Sequence, residues 1–490
     1  MSVRVEDGRP VRAAIRLRTD IILFVGFVLA TVWCINAPLN PNSVTRVGLS
    51  HALAIHGQLN IDEVADRTID KAHWRGHYYC DKTPGISLLC VPAVYAADKL
   101  ADAVGAAPAF LPVKNAGAGL RYGLAALACL IVTSVLFGAA AVLRFRSSLL
   151  RAGTREPAAD IATLILAFGT PLFIWSTAVF GHATSTALLV MAFSLYWPAR
   201  AGEPLNVRRY ALAGLLLSLA ALVELTAVPA AAMIALLLLA DPRPVRWNNV
   251  VVNGLAMLGA ALPAAVMLLA YNYFAFGSPF HLGYASVEGF TGMKSGFFGI
   301  NAPTLEALWG ITFSPDRGLF WVSPVLLFSI PAIIALLRRS TVKLPVATCL
   351  GIAMYYLLLN GGYHYWNGGY SLGPRHLTPA TPFLLFPVAI WMDRIGPGTR
   401  IAIVATGVLS VLITVICTSV SFVVTDDGKS ILLGHLVPNF TRGHSDLVLA
   451  TLHVPFAVVV LVPLIVVAGT AFLVLRPISV LDRQLSHVRH

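Results

Sequence analysis

About twelve stretches of this chain are apolar over lengths that only a membrane accommodates: 20–37, 118–143, 160–178, 184–199, 208–226, 228–240, 250–271, 319–337, 344–360, 377–392, 401–424 and 451–475. A bilayer core takes roughly 20 apolar residues per helix. Inside hydrocarbon every backbone polar group must bond within the segment, so such stretches fold as helices. Composition agrees: 57% of the 490 residues are hydrophobic and 12% charged, against about a quarter charged in soluble domains, and the mean hydropathy is +0.76. The expectation is an all-α integral membrane protein, a bundle of about twelve transmembrane helices, in which 208–226 and 228–240 are divided only by the break at Ala227–Pro229.

The arginines orient the bundle. Arg4, Arg9, Arg12, Arg16 and Arg18 precede the first span, and the same side collects Arg144, Arg146, Arg151, Arg155, Arg200, Arg208, Arg209, Arg243, Arg246, Arg338, Arg339, Arg394, Arg400, Arg476, Arg483 and Arg489. Positively charged loops stay cytoplasmic, so both termini are expected there, in tails 1–19 and 476–490 flanking a membrane domain over 20–475. The first span reads as an uncleaved signal anchor. The net charge of +12 then serves topology and anionic-lipid contact, and no nucleic-acid partner is expected.

On the outer side the long segment 38–117 breaks the apolar pattern. It concentrates Asp62, Glu63, Asp66, Asp70, Lys71, His73, Arg75, His77, Asp81 and Lys82, closed by Thr83-Pro84-Gly85. Residues 85–99 are short, carry Pro92 and end charged, which predicts an interfacial helix and not a span. Six scattered cysteines show no Cys-x-x-Cys spacing, and Cys80 with Cys90 is the one pair suited to an outer disulfide. A second outer loop, 272–318, reads either as a lid over an acceptor or as a packed connection.

The outer turns converge chemically. His182 follows the third span, and the 360–376 connection interleaves glycines with Tyr363, Tyr365, Trp366 and Tyr370 before ending in Arg375-His376. Aromatic faces suit a sugar ring and an arginine fork suits a phosphate. Each residue also has a plainer role: interfacial belt for the tyrosines, helix cap for His182, partner of a structural carboxylate for Arg375, and surface ion pair for Asp81-Lys82.

The segment Gly76-His77-Tyr78-Tyr79-Cys80-Asp81-Lys82-Thr83-Pro84-Gly85 resembles the acidic-Lys-Pro element in the first outer loop of GT-C glycosyltransferases. Lipid A aminoarabinose transferases and protein O-mannosyltransferases are similar in layout, down to the Gly-Pro-Arg-His turn at 373–376 and the Leu-Thr-Pro-Ala-Thr-Pro after it. The resemblance implies a GT-C-like bundle whose periplasmic first loop carries interfacial helices, a polyprenyl-phosphate sugar as donor (undecaprenyl phosphate in bacteria), and a phosphate contact at Lys82. It implies no cofactor, and no Asp-x-Asp metal cradle is evident. Two positions depart from the family. Its carboxylate in the turn after the third span is His182 here, and its Asp after the first span is missing from Pro41-Asn42-Ser43-Val44-Thr45-Arg46, although Arg46 matches.

The catalytic role therefore passes to Asp62, Asp70 or Asp81. Asp70 and Asp81 are favoured because a lysine follows each and keeps it ionised. The expected donor phosphate ligands are Lys82, Arg375 and Arg46; the expected substrate contacts are His77, His182, Trp366, Tyr370 and His376. The function so implied is a hexosyl or pentosyl transferase of the bacterial inner membrane that serves the cell envelope, takes a lipid, glycan or protein acceptor and inverts the sugar. A transporter or flippase is the alternative, and Glu224, a carboxylate within an apolar span, is its one supporting residue.

Overall fold

A computed structural model describes residues 9–36, 39–111, 119–197, 206–240, 247–338, 341–421, 424 and 428–487. Arg4, Arg200, Arg243, Arg246, Arg339, Arg489 and Asp426 lie outside the described residues. Helix occupies each of the twelve apolar stretches. Among the described residues, five helices are individually long and apolar enough to cross a membrane: Leu120–Arg151, Asn248–Phe276, Lys343–Gly362, Pro397–Val420 and Phe456–Arg476.

The chain opens with α1 (Arg9–Trp33), α2 (Pro41–His51), α3 (Gly85–Ala103), α4 (Leu120–Leu130), α5 (Leu136–Arg151), α6 (Glu156–Phe168) and α7 (Pro171–Trp175). The middle of the chain forms α8 (Gly181–Ser194), α9 (Val207–Val223), α10 (Val228–Leu239), α11 (Trp247–Phe276), α12 (Leu305–Thr312), α13 (Leu319–Val322) and α14 (Ser329–Leu337). Last come α15 (Lys343–Gly362), α16 (Thr381–Met392), α17 (Pro397–Val420), α18 (Val437–Thr441), α19 (Val448–Thr451) and α20 (Phe456–His487).

Prolines start many of these helices, at the first positions of α2, α6, α7, α10, α16 and α17, where a missing N–H costs nothing. Asn40, Asn206 and Thr304 cap α2, α9 and α12 through their side-chain oxygens. Burial sorts the bundle into layers: α6, α8 and α16 are buried nearly all round, as helices at a bundle centre must be. By contrast, α11 lies at the periphery, with 11% of its apolar window buried.

Charged groups gather at helix ends. At the arginine-rich end, Arg146 bonds Asp160 at 2.6 Å and Asp20 at 2.9 Å, Arg155 bonds Asp393 at 3.0 Å, and Arg16 bonds Glu156 at 2.8 Å. These pairs tie α1, α5, α6 and the end of α16 together. Segments from the other ends meet as well: Asn36 N–H donates to Thr177 O at 3.0 Å, and Asn36 pairs with Leu447.

The first outer loop departs from the all-α expectation. Residues Ala72–Trp74 (β1) and His77–Tyr79 (β2) form an antiparallel hairpin, with Ala72 opposite Tyr79. Its two turn residues, Arg75 and Gly76, both have positive φ, 50° and 86°, the geometry whose twist matches a two-residue hairpin. The 85–99 stretch is helical as α3, and α3 is not among the helices suited to crossing a membrane. The suggested Cys80–Cys90 disulfide is absent. All six cysteines are free and buried, and Cys90 faces the backbone of Cys129 from α3.

Candidate functional site

The site is assembled around the residues that follow the hairpin. β2 delivers Cys80-Asp81-Lys82, and Thr83-Pro84-Gly85 fastens them to the end of α9. Thr83 Oγ1 donates to Val223 O at 2.7 Å. A side chain at Gly85 would lie 2.5 Å from Leu222 O, so only glycine lets α3 start this close to α9. Loop 272–318 closes over the same point. Tyr271 donates to Cys80 O at 3.3 Å, and a Cβ on Gly283 would stand 3.1 Å from the Asp81 backbone.

From here a continuous chain of side-chain contacts crosses the molecule. Lys82 Nζ lies 2.7 Å from Asp81 Oδ2 and 3.6 Å from Asp70 Oδ2. Asn42 Nδ2 donates to Asp70 Oδ2 at 3.2 Å, and Arg46 Nε donates to Asn42 Oδ1 at 2.9 Å. Arg46 Nη2 bonds Glu224 Oε1 at 3.2 Å, and His182 Nδ1 is 3.8 Å from the same oxygen. The His182 ring meets that of His376 edge-on at 5.2 Å, and Arg375 Nε donates to His376 Nε2 at 3.4 Å. The Arg375 guanidinium rests over the Phe180 ring at 5.6 Å. Tyr363 stands beside His376 at 5.3 Å.

Electrostatics bind the cluster together. Burial raises the Tyr363 phenol, Lys82 and Arg375 oppose the rise, and Asp81 and Asp70 add to it, so four charges from the first loop and the 373–376 turn act on one phenol. Burial alone would lower the Lys82 ammonium, but the carboxylates of Asp70 and Asp81 outweigh it and hold Lys82 protonated. Burial pushes the Asp81 carboxyl up, with Lys82 the main opposing charge.

The two favoured acids are thus unlike. Asp81 is 2% exposed and clamps Lys82, whereas Asp70 is partly open and accepts from Asn42 at one oxygen only. Within this chain of contacts, Arg46 Nη1 and Asp81 Oδ1 are buried without a hydrogen-bond partner. Arg375 forms no ion pair among the described residues. A buried donor such as Arg46 Nη1 normally finds a partner, whereas Asp81 Oδ1 is an acceptor and calls for a donor or a proton.

Of the residues expected from sequence, the structure gathers Arg46, Asp70, Asp81, Lys82, His182, Arg375 and His376 into this chain. The rest sit elsewhere. His77 bonds Asp62 Oδ2 at 2.6 Å on the outer side of the hairpin, Trp366 packs over Gly310 of α12, and Tyr370 is 68% exposed. Asp62 starts the 3₁₀ turn Asp62–Arg67 and accepts from the Tyr78 N–H at 2.7 Å, a structural duty.

Sequence reasoning missed Asn42, Tyr284 and the role of Glu224. Asn42 occupies the sequence position where a family carboxylate was sought, and it donates to Asp70. Glu224 terminates α9 in an extended conformation (φ −147°, ψ 112°) and turns to Arg46. The signal was a carboxylate beside a proline break in an apolar run. Tyr284 carried no local signal; it reaches the site because its loop folds back, 6.0 Å from Lys82 Nζ.

No family model and no curated protein matches the chain. Among solved structures, the chain is similar to ArnT from Cupriavidus metallidurans bound to undecaprenyl phosphate, with 13% identity over 93% of this chain and 76% of that one, at a TM-score of 0.49. Apo ArnT gives 11% identity and a TM-score of 0.47 over 96% and 77%. The oligosaccharyltransferase AglB from Archaeoglobus fulgidus, solved with an inhibitory peptide and a dolichol-phosphate, gives 13% identity and 0.43 over 81% of this chain and 55% of that one. With every TM-score below 0.5, the functional reading rests on the chain's own residues.

Proposed function

We propose that this protein is a membrane glycosyltransferase of GT-C type. It transfers a sugar from a polyprenyl-phosphate donor to a lipid, glycan or protein acceptor on the periplasmic side of the bacterial inner membrane, with inversion. The observation that carries the proposal is Lys82 held between Asp70 and Asp81 in the same contact chain as Arg375, a cation without a carboxylate partner among the described residues. An anion-receptive arginine, a protonated lysine and an open carboxylate are the three groups that displacement of a lipid phosphate requires.

In this scheme Asp70 takes the proton of the acceptor hydroxyl as its oxygen attacks the anomeric carbon. The bond from that carbon to the phosphate oxygen breaks, and the polyprenyl phosphate departs as an anion held by Arg375 and Lys82. A positioned base is worth roughly 10² to 10⁴ in rate, and each donor aimed at the growing charge about 2 to 4 kcal/mol. Asn42 orients Asp70; Asp81 orients Lys82. Tyr363 and His376 flank Arg375 where a sugar or phosphate would rest.

The transport alternative draws on Glu224, which lies within this cluster and pairs with Arg46 at 3.2 Å. The deciding experiment titrates the purified protein in nanodiscs with undecaprenyl phosphate and then assays transfer from a polyprenyl-phosphate sugar. Binding that weakens in Lys82→Ala and Arg375→Ala supports the proposal. A native protein that binds no polyprenyl phosphate sinks it.

A further inference from the structure

A second cluster lies in the first outer loop, apart from the site above. α2 does not end as an α-helix; it passes into one π-helical turn, Ala52–His56, closed by the Gly57 N–H bonding Ala52 O with Gly57 at φ 63°. Five residues along an α-helix turn through about 500°, which would put His51 and His56 on different faces. The i→i+5 closure of a π turn brings residues five apart nearly into line. The two rings consequently meet at 5.4 Å.

The 3₁₀ turn Asp62–Arg67 brings Glu63 to the same place. Glu63 Oε2 is 3.2 Å from His51 Nδ1 and 3.9 Å from His56 Nε2, and the three donor atoms lie within 4.8 Å of one another. Zinc bonded to nitrogen and oxygen at about 2.0–2.1 Å in a tetrahedron separates its ligands by about 3.3 Å, so the edges meeting at Glu63 are near that length already.

The donors are prepared in other respects. His51 is 4% exposed, and its buried Nδ1 has the Glu63 carboxylate at 3.2 Å as its one polar neighbour, without well-aligned hydrogen-bond geometry. Its ring is held flat against Phe110, with centroids 3.6 Å apart and planes 8° apart. Its Nε2 faces Asp98 Oδ1 at 3.9 Å, beyond hydrogen-bond distance, and that oxygen accepts from Arg121. His56 and Glu63 are about half exposed and line a cavity of about 370 Å³ together with Asp62 and His77, which leaves a fourth coordination position open to water.

We infer that His51 Nδ1, His56 Nε2 and Glu63 Oε2 bind one divalent transition metal ion of the zinc class. Two imidazoles and a carboxylate select such an ion over magnesium or calcium, which prefer all-oxygen sites. The ion clips α2, which carries Asn42 and Arg46, to the turn whose Asp62 holds His77 and β2. It thereby fixes the spacing between the arginine and lysine sides of the charged cluster.

The test is equilibrium dialysis of the metal-stripped full-length protein against Zn²⁺ alone. One equivalent is expected to bind and to raise the unfolding temperature, since a ligand of the native state stabilises it. Glu63→Gln and His56→Asn should each weaken binding by about a hundredfold or more, beyond the 10- to 100-fold of a lost outer partner, while His73→Asn should leave it unchanged. Both positions are half exposed, and apo unfolding temperatures equal to wild type verify that the variants fold. X-ray absorption at the zinc edge of the wild-type protein should show two imidazoles and no sulfur. Failure of the wild type to bind, unchanged binding in both variants, or a sulfur ligand overturns the inference. None of these readouts depends on glycosyl transfer.

Discussion

Asp70 and Asp81 differ by little in sequence, each followed by lysine, yet their surroundings separate their work. Asp70→Asn should lower turnover by roughly 10² or more with donor affinity kept, because the amide retains shape but accepts no proton. Asp81→Asn should act mainly on affinity, since it frees Lys82 from its 2.7 Å partner. Measuring transfer rate and undecaprenyl-phosphate binding for both variants separates the roles; equal loss of both quantities in both variants would contradict them. Arg375→Ala should weaken lipid-phosphate binding and Arg375→Lys should restore only part, as an ammonium cannot form the bidentate fork. Full restoration by lysine would show that a point charge suffices. Asn42→Ala removes two charge-assisted hydrogen bonds, the one donated to Asp70 and the one accepted from Arg46, each worth about 1.5 to 3 kcal/mol, so a rate loss of roughly tenfold or more is the expected outcome, with lipid-phosphate binding weakened as far as Arg46 is displaced.

Among the elements, the junction of α3 and α9 decides whether those residues meet. Gly85→Ala would set a methyl 2.5 Å from the Leu222 carbonyl, and backbone cannot rotate aside as a side chain can. Overpacking of this kind costs about 1 to 3 kcal/mol, and here it also displaces Lys82, three residues earlier. Lower thermal stability together with weakened donor binding is expected; a variant that melts and binds like the native protein would show that the close approach is dispensable. The hairpin is the element that sequence concealed. Its strands are three residues each, too short for alternation to register above noise, and its turn places Arg75 at a positive φ that non-glycine residues seldom adopt.

For the whole molecule, the arginine pattern forecasts that His77 and Tyr370 face outward while Arg151 and Arg338 face the cytoplasm. The structure makes the measurement convenient, because all six native cysteines are buried while these four positions are exposed. Single cysteines placed there and probed with an impermeant thiol reagent on intact cells should label only at 77 and 370. Labelling at 338 from outside would refute the alternation of twelve spans. Hydropathy set out the helices, because burial in lipid acts on each apolar segment separately. The motif at 81–85 and the turn at 373–376 were equally visible, being local runs of polar residues in an apolar chain. What the sequence could not provide was the pairing of distant charges. That Asn42 would bridge Arg46 and Asp70, that Glu224 would leave its apolar helix to meet Arg46, and that His77 would turn to Asp62 all depend on which helix ends the bundle brings within hydrogen-bond reach. Those approaches are set by close contacts such as Gly85 against Leu222 and by the π turn after His51, and each results from packing between segments that no local pattern records.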